Sequence, residues 1–346
     1  MATTEAPPIA VWRQPRVWLG LAVSAIFLVL LLRQVDGGEL LDALRDVEVG
    51  WLVVALAVYL GALWLRALRW RLILRPHVEV AGGDAFALLV IGYAANNVLP
   101  VRAGEFVRAG LLQQRHDAPW ATGLGTIVVE RVLDGLVLAS FLAGTVALAG
   151  GNGLLRTLAV VALLAFAGVA GLLVLLGRTE GHRARRLMPL IPSSLRPRIE
   201  ATLARFAVGL TALRGGRVWG ALTGLSVATW ALEAATYALV GAAFGLPLDA
   251  PLYLGLCGAA NLAIAAPSTA GGIGPFEYFA REVAVVYGAA VGVATAYALV
   301  LHMLILVPVV ALALVLLWRH HLAPGTLLRA PAAPPTPEVP ARAESA

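Results

Sequence analysis

Charge is scarce in this sequence. Charged residues make up 13% of its 346 positions, about half the share of roughly 25% found in soluble domains. Lysine is missing altogether, and all 26 basic residues are arginine. That excludes a Walker A phosphate loop, Schiff-base chemistry and a lysine nucleophile. Cys257 is the single cysteine, so neither an internal disulfide nor a cysteine-based zinc cluster can form. The six histidines show no metal-ligand pairing, and His320 and His321 read as an interfacial cap. No G-x-S-x-G, H-E-x-x-H or dinucleotide fingerprint is present, so no metal or cofactor is expected. The expectation is a transporter-like protein without a catalytic domain.

What fills the sequence instead is apolar: 60% of residues are hydrophobic. Several runs approach or exceed the roughly 20 residues that cross a hydrocarbon core. An integral, multi-spanning membrane protein follows. The net charge of +6 is then a matter of topology, not of nucleic acid, because arginine concentrates in cytoplasmic loops.

Arginine bias orders the chain. Residues 1–16 read as a cytoplasmic N-terminus and 17–32 as the first span. The loop 33–48 holds five acids against two arginines and reads as external. Span two, 49–65, ends in Arg66, Arg69, Arg71 and Arg75, which places that end inside. Spans three and four cover 121–149 and 154–177. The loop 178–217, with nine arginines against two acids, is cytoplasmic, and its second half has the spacing of an interfacial amphipathic helix. Span five covers 218–246, and span six covers 289–318 and ends inside. The tail 323–346 is rich in proline and alanine and reads as disordered.

Two segments fit no simple span. Residues 84–114 break at "NNVLPVRAGEF", and residues 251–288 break at "AIAAPSTAGGIGPFE". The arginine bias stays consistent only if each is a re-entrant hairpin, the first entered from the cytoplasm and the second from outside. The fold expected is an all-α polytopic membrane protein of about six transmembrane helices plus two re-entrant helical hairpins. A flippase-like domain over 17–322 then holds two inverted repeats, 17–149 and 154–318. Matched breaks in two inverted halves are the sequence pointer to a transport site.

The breaks are carried by Pro100 and Gly104 in the first half and by Pro267, Gly271, Gly272, Gly274 and Pro275 in the second. Each is followed by a helix whose N-terminal N–H groups are free to bind phosphate. Pro275 suits the first helical turn. Simple helix breaks packed against neighbours are the alternative. Around the first break, Arg102, Glu105 and Arg108 share a face, and in span three Glu130 and Asp134 share another, with Arg131 beside them. Ionisable groups at membrane depth are costly and face one another or water. They form either a closed ion-pair network or a headgroup site in which an arginine forks onto phosphate. Asn97, Asn261, Glu277 and Arg281 join the candidate headgroup contacts. Glu233 has no basic neighbour in sequence: either Arg281 reaches it, or it holds a proton and couples transport.

Four motifs in order, "LRALRWRLIL", "NNVLPVRAGEFVRAGLL", "VVERVLDGL" and "PSTAGGIGPFE", resemble the transmembrane domain of lysylphosphatidylglycerol synthases, a flippase-like family. The resemblance covers about residues 12–320. It implies a helical domain that moves a lipid, or a lipid-linked group, between leaflets of the cell membrane. It carries over Asn97, Pro100, Arg102, Gly104, Glu105, Arg108, Glu130, Arg131, Asp134, Pro267, Gly271, Gly272, Gly274 and Glu277 as motif residues. Full-length synthases continue into an aminoacyl-transferase domain, where this sequence has its tail, so the flippase-like part alone is expected. A membrane-embedded transferase acting on lipid-linked donors is the rival, and a subunit beside a separate lipid-modifying enzyme a third reading. The expected partners are phospholipids or polyprenyl-linked lipids, with a homo-oligomer open and no nucleic acid.

Overall fold

A computed structural model describes residues 15–33, 35–99, 103–150, 152–178, 216–247, 249–264 and 270–320. The N-terminal residues 1–14, Pro100, Arg102, Pro267, the amphipathic stretch within 178–215 and the tail lie outside the described residues. The molecule is an all-α membrane protein. Its helices are α1 (Pro15–Leu32), α2 (Gly37–Arg45), α3 (Val49–Leu74), α4 (Gly82–Val98), α5 (Gly104–His116), α6 (Trp120–Ala149) and α7 (Gly153–Arg178). They continue with α8 (Gly216–Ala243), α9 (Ala250–Ala263), α10 (Pro275–Val286) and α11 (Val291–Arg319). Among the described residues, five helices are long and apolar enough to cross a membrane: α3, α6, α7, α8 and α11. In α1 the comparable apolar stretch, Leu21–Leu31, is shorter.

One boundary differs from the sequence reading. Span two does not stop at residue 65; α3 continues to Leu74 and takes Arg66 and Arg69 inside the protein. Helical geometry sorts the four arginines onto opposite sides. Arg66 and Arg69 are buried, whereas Arg71 and Arg75 are exposed. The long helix survives its buried charges because carboxylates on α6 and α8 meet them.

Both broken segments fold back on themselves. Asp84 at the start of α4 lies 3.7 Å from the Arg115 guanidinium and 3.8 Å from the His116 ring at the end of α5. The two helices press together where Gly92 and Gly104 face each other. A Cβ on Gly104 would overlap the Gly92 carbonyl oxygen and come within 2.7 Å of the Asn96 side chain. Asn96 fixes the same junction, its Oδ1 accepting from the Gly104 N–H at 2.8 Å and its Nδ2 donating to Glu105 at 3.1 Å. In the second pair, the start of α9 and the end of α10 line one cavity with residues 244–247 and 288–290. Between them runs the turn Ala270–Gly272, and Gly271, Gly272 and Gly274 hold positive φ of 72°, 76° and 99°. Only glycine adopts such a run without strain.

The outer ends of the two pairs point to opposite ends of the molecule. The α9–α10 end lies with the start of α3, since the Glu48 N–H donates to the Ala243 carbonyl at 3.0 Å. The end of α6 is there too, where Thr145 donates to the Pro251 carbonyl at 2.8 Å. The α4–α5 end lies instead by the close of α3, where Arg71 donates to the Val80 carbonyl at 2.8 Å. The inner ends meet: a Cβ on Gly271 would sit 3.7 Å from the Asn97 carbonyl oxygen. Two apolar cores, one around α6, α8, α9 and α10 and one around α3, α4 and α5, are joined through Leu304 and Ile305 of α11.

Candidate functional site: a buried arginine network

One helical turn past the first break, at Arg108, α3, α5, α6 and α8 bring a charged cluster into the apolar interior. Arg69 donates to Asp134 at 2.5 Å and to Ser226 at 2.9 Å, and lies 4.0 Å from Glu130. Arg108 forks onto both oxygens of Glu130, at 3.0 and 2.8 Å. Arg66 pairs with Glu233 and reaches the Tyr93 hydroxyl at 3.4 Å. All six of these charged side chains are buried. Removing an ion from water costs several kcal/mol, so such charges persist only when they are paired and hydrogen-bonded.

Aromatic rings complete the packing. The Arg108 guanidinium carbon stands 3.6 Å from the centre of the Trp70 ring, and that of Arg66 stands 4.1 Å from Trp230. Both indoles also donate, Trp70 to Thr126 at 3.1 Å and Trp230 to Asp134 at 2.8 Å. Each arginine is thereby held between a carboxylate and a π-face, which fixes its plane.

Arg131 is different. Its guanidinium donates to the Tyr93 hydroxyl at 3.1 Å and to Glu130 at 3.0 Å, yet its side chain remains 39% exposed. With Arg131 counted, four arginines pair with three carboxylates, and Glu105 lies close enough to Arg131 to add a fourth negative charge to its field. The Arg131 Nε is buried and, like those of Arg66, Arg69 and Arg108, finds no hydrogen-bond partner among the described residues, so exposure alone sets Arg131 apart. Arg131 is therefore the edge at which the network meets its surroundings.

Sequence-expected residues distribute unevenly over this site. Arg108, Glu130, Arg131 and Asp134 come together. Glu105 instead bonds Asn96 at the first break, and the carbonyl of the half-buried Asn97 faces Gly271. Glu233 joins the network through Arg66; Arg281 does not reach it. The Arg281 guanidinium donates to the Leu31 carbonyl at 2.8 Å and to Glu282 at 2.7 Å, capping the end of α1. Asn261 turns toward α8 and its own helix, donating to Tyr237 at 2.8 Å and to the Cys257 carbonyl at 3.0 Å. Pro275 opens α10, and Glu277 reaches back to accept from the Gly274 N–H at 2.7 Å.

Sequence reasoning missed Arg66 and Arg69 as interior residues, together with Tyr93, Asn96, Trp70, Trp230 and His302. The signal for the first two was the apolar "LIL" at 72–74, which continues the helix beyond the arginines.

Known proteins resemble this chain. The family model described as the lysylphosphatidylglycerol synthase TM region matches residues 17–313. "Glycosyltransferase AglD" of Haloferax volcanii is 29% identical over 301 residues, covering 77% of this chain and 48% of its own length. "UPF0104 membrane protein" of Methanothermobacter thermautotrophicus is 28% identical over 117 residues, 33% of this chain and 35% of that protein. The match thus spans about half or less of each curated relative. No solved structure matches significantly.

Proposed function

This chain belongs to the lysylphosphatidylglycerol synthase TM family, and we propose that it is a lipid translocator whose arginine network receives an anionic headgroup. The observation that carries this reading is Arg131, the partly exposed cation of an otherwise buried cluster. Guanidinium forks onto phosphate oxygens, and a fixed cation beside the helices of a membrane break suits a headgroup while the acyl chains stay in lipid. Glu130, Asp134 and Glu233 hold the arginines and set the local field. The domain sits in the cell membrane with both termini cytoplasmic.

Reconstitution with fluorescent anionic phospholipids tests it. Arg131→Gln removes the exposed charge and should slow transbilayer movement about tenfold or more, as expected for a lost charge-assisted contact. Transfer at the wild-type rate in a correctly folded Arg131→Gln protein would sink the assignment. The inverted arrangement has its own check. Asp249→Cys in a Cys257→Ala background should react with impermeant maleimide from outside the cell, and reaction only from the cytoplasm would overturn it.

A second reading has one specific support, the relative whose printed name is a glycosyltransferase. In it the network binds the phosphate of a lipid-linked donor, and group transfer follows. Mass spectrometry of lipids from a deletion strain separates the two: a missing lipid species favours transfer chemistry, and an altered leaflet distribution favours translocation. Stable co-purification with a lipid-modifying enzyme would instead favour a subunit role.

A further inference from the structure

We propose that Glu277 and His302 form a proton-binding site, in which one proton held between them pins the second helix break against the first. The argument is a count of hydrogens. His302 Nε2 lies 3.0 Å from the Gly271 carbonyl oxygen, which only accepts, so Nε2 carries a hydrogen. His302 Nδ1 lies 2.7 Å from Glu277 Oε1. With Nε2 already protonated, a neutral ring presents a lone pair at Nδ1. Two lone pairs repel at that distance, so one proton must lie between them. It resides on the ring as imidazolium facing carboxylate, or on the acid as carboxyl facing imidazole. The other carboxyl oxygen, Oε2, is occupied by the Gly274 N–H. Losing the shared proton leaves a buried negative charge and turns attraction into repulsion.

The surroundings assign the proton to this pair and to no third group. On α10, the Arg281 guanidinium is committed to the Leu31 carbonyl and to Glu282. Tyr278 stands beside Arg281. From α11, His302 and Tyr297 face inward, and Tyr297 donates to the Tyr237 carbonyl. From α9 comes Cys257, and from α8 Tyr237, whose hydroxyl meets Asn261. The α1 helix offers the Ser24 carbonyl beside Gly274, and the tip of α4 offers the Asn97 carbonyl beside Gly271. Glu233, the proton carrier suggested by sequence, has a guanidinium partner instead. Phe276 stacks on the His302 ring with centroids 4.3 Å apart, which holds the imidazole in the plane that reaches both acceptors.

The consequence is mechanical. His302 holds the Gly271 carbonyl and Glu277 holds the Gly274 N–H, so the dyad grips the two ends of the positive-φ run. Gly271 is also the point that touches Asn97 of the first break. Proton release loosens this grip and frees the glycines to rearrange, which would let the junction of the breaks open and close with protonation. Its role in transport rests on the translocation reading; the proton site itself does not.

The test uses the full-length protein with ¹⁵N-labelled histidine rings, and reads titration without any lipid transport. His302→Gln identifies the His302 signal by its loss. In the wild type the ring should carry hydrogen at Nε2 throughout, and the Glu277 carboxyl infrared band should change over the same pH range as the ring. Glu277→Gln should lower the proton affinity of the ring by about 10- to 1,000-fold, the range for loss of a contacting opposite charge. A ring that titrates with the same midpoint in both proteins overturns the proposal. So does a wild-type His302 ring that titrates while the carboxyl band stays fixed. Maleimide reaction of Ile273→Cys, made in Cys257→Ala, reads the mechanical part. After correction for thiol ionisation, its rate should rise on proton release in that background and lose this step in His302→Gln. An unchanged pH profile in His302→Gln would overturn the grip on the break. Wild-type lipid transfer by Arg131→Gln, the result that sinks the translocation reading, would leave every one of these titrations in place.

Discussion

Asp134→Ala should destabilise the protein by about 3–5 kcal/mol, the cost of leaving a buried charge without its partner. Asp134 Oδ1 accepts from both Arg69 and Trp230, so its loss strands a guanidinium with no exposed surface. Ser226 and the more distant Glu130 would remain as its contacts. Thermal unfolding in detergent, followed by monodispersity on gel filtration, gives the measurement. The double variant Arg69→Met, Asp134→Leu separates charge from shape. It removes both ions and substitutes apolar volume, and should be more stable than Asp134→Ala alone. An Asp134→Ala protein as stable as wild type would mean that Arg69 finds another partner and that the network is not closed around Asp134.

Gly104→Ala should have an effect of similar size by a different route. The added methyl would overlap the Gly92 carbonyl oxygen, which belongs to a helix backbone and cannot turn aside. Helix α5 must then move away from α4, and it carries Arg108 with it. Overpacking of this kind costs about 1–3 kcal/mol, and displaced Arg108 adds the weakened fork on Glu130. The separation of causes is direct. Gly104→Ala should reduce lipid transfer in proportion to lost folding, whereas Arg131→Gln should reduce it with the melting temperature kept within a few degrees. Retained stability in Gly104→Ala would show that α4 and α5 slide freely past each other.

The architecture was legible because its signals are chemical and local. Apolar run length and glycine–proline breaks each act within a few residues, and the observed helices follow them closely. The breaks also announced themselves in pairs. Tertiary partnership was the part that remained hidden. Arg66 and Glu233 stand 167 positions apart, and no periodicity connects two residues that meet through packing alone. The clustering of arginines at 66–75 misled for a physical reason. Four cations near a helix end look like one interfacial band, yet at helical spacing they face two directions. His302 gave no signal, because a lone histidine in an apolar helix is indistinguishable in sequence from a packed core residue. Its role appears only when the Gly271 carbonyl and the Glu277 carboxyl converge on it.

The separation between Arg66 and Glu233 also constrains how the protein is made. Helix α3 leaves the ribosome with both interior arginines before any carboxylate of α6 or α8 exists. Each arginine near the middle of an inserting helix costs about 2.5–3.5 kcal/mol. At synthesis rates of about 5–20 residues per second, the wait for Glu233 lasts roughly 8–33 s. During that interval α3 is better accommodated beside the insertion channel, or shifted so that its guanidiniums reach the interface, than at its final depth. The helix would settle fully only when α8 arrives, so the first half of the chain completes its fold only after the second half has begun to enter the membrane.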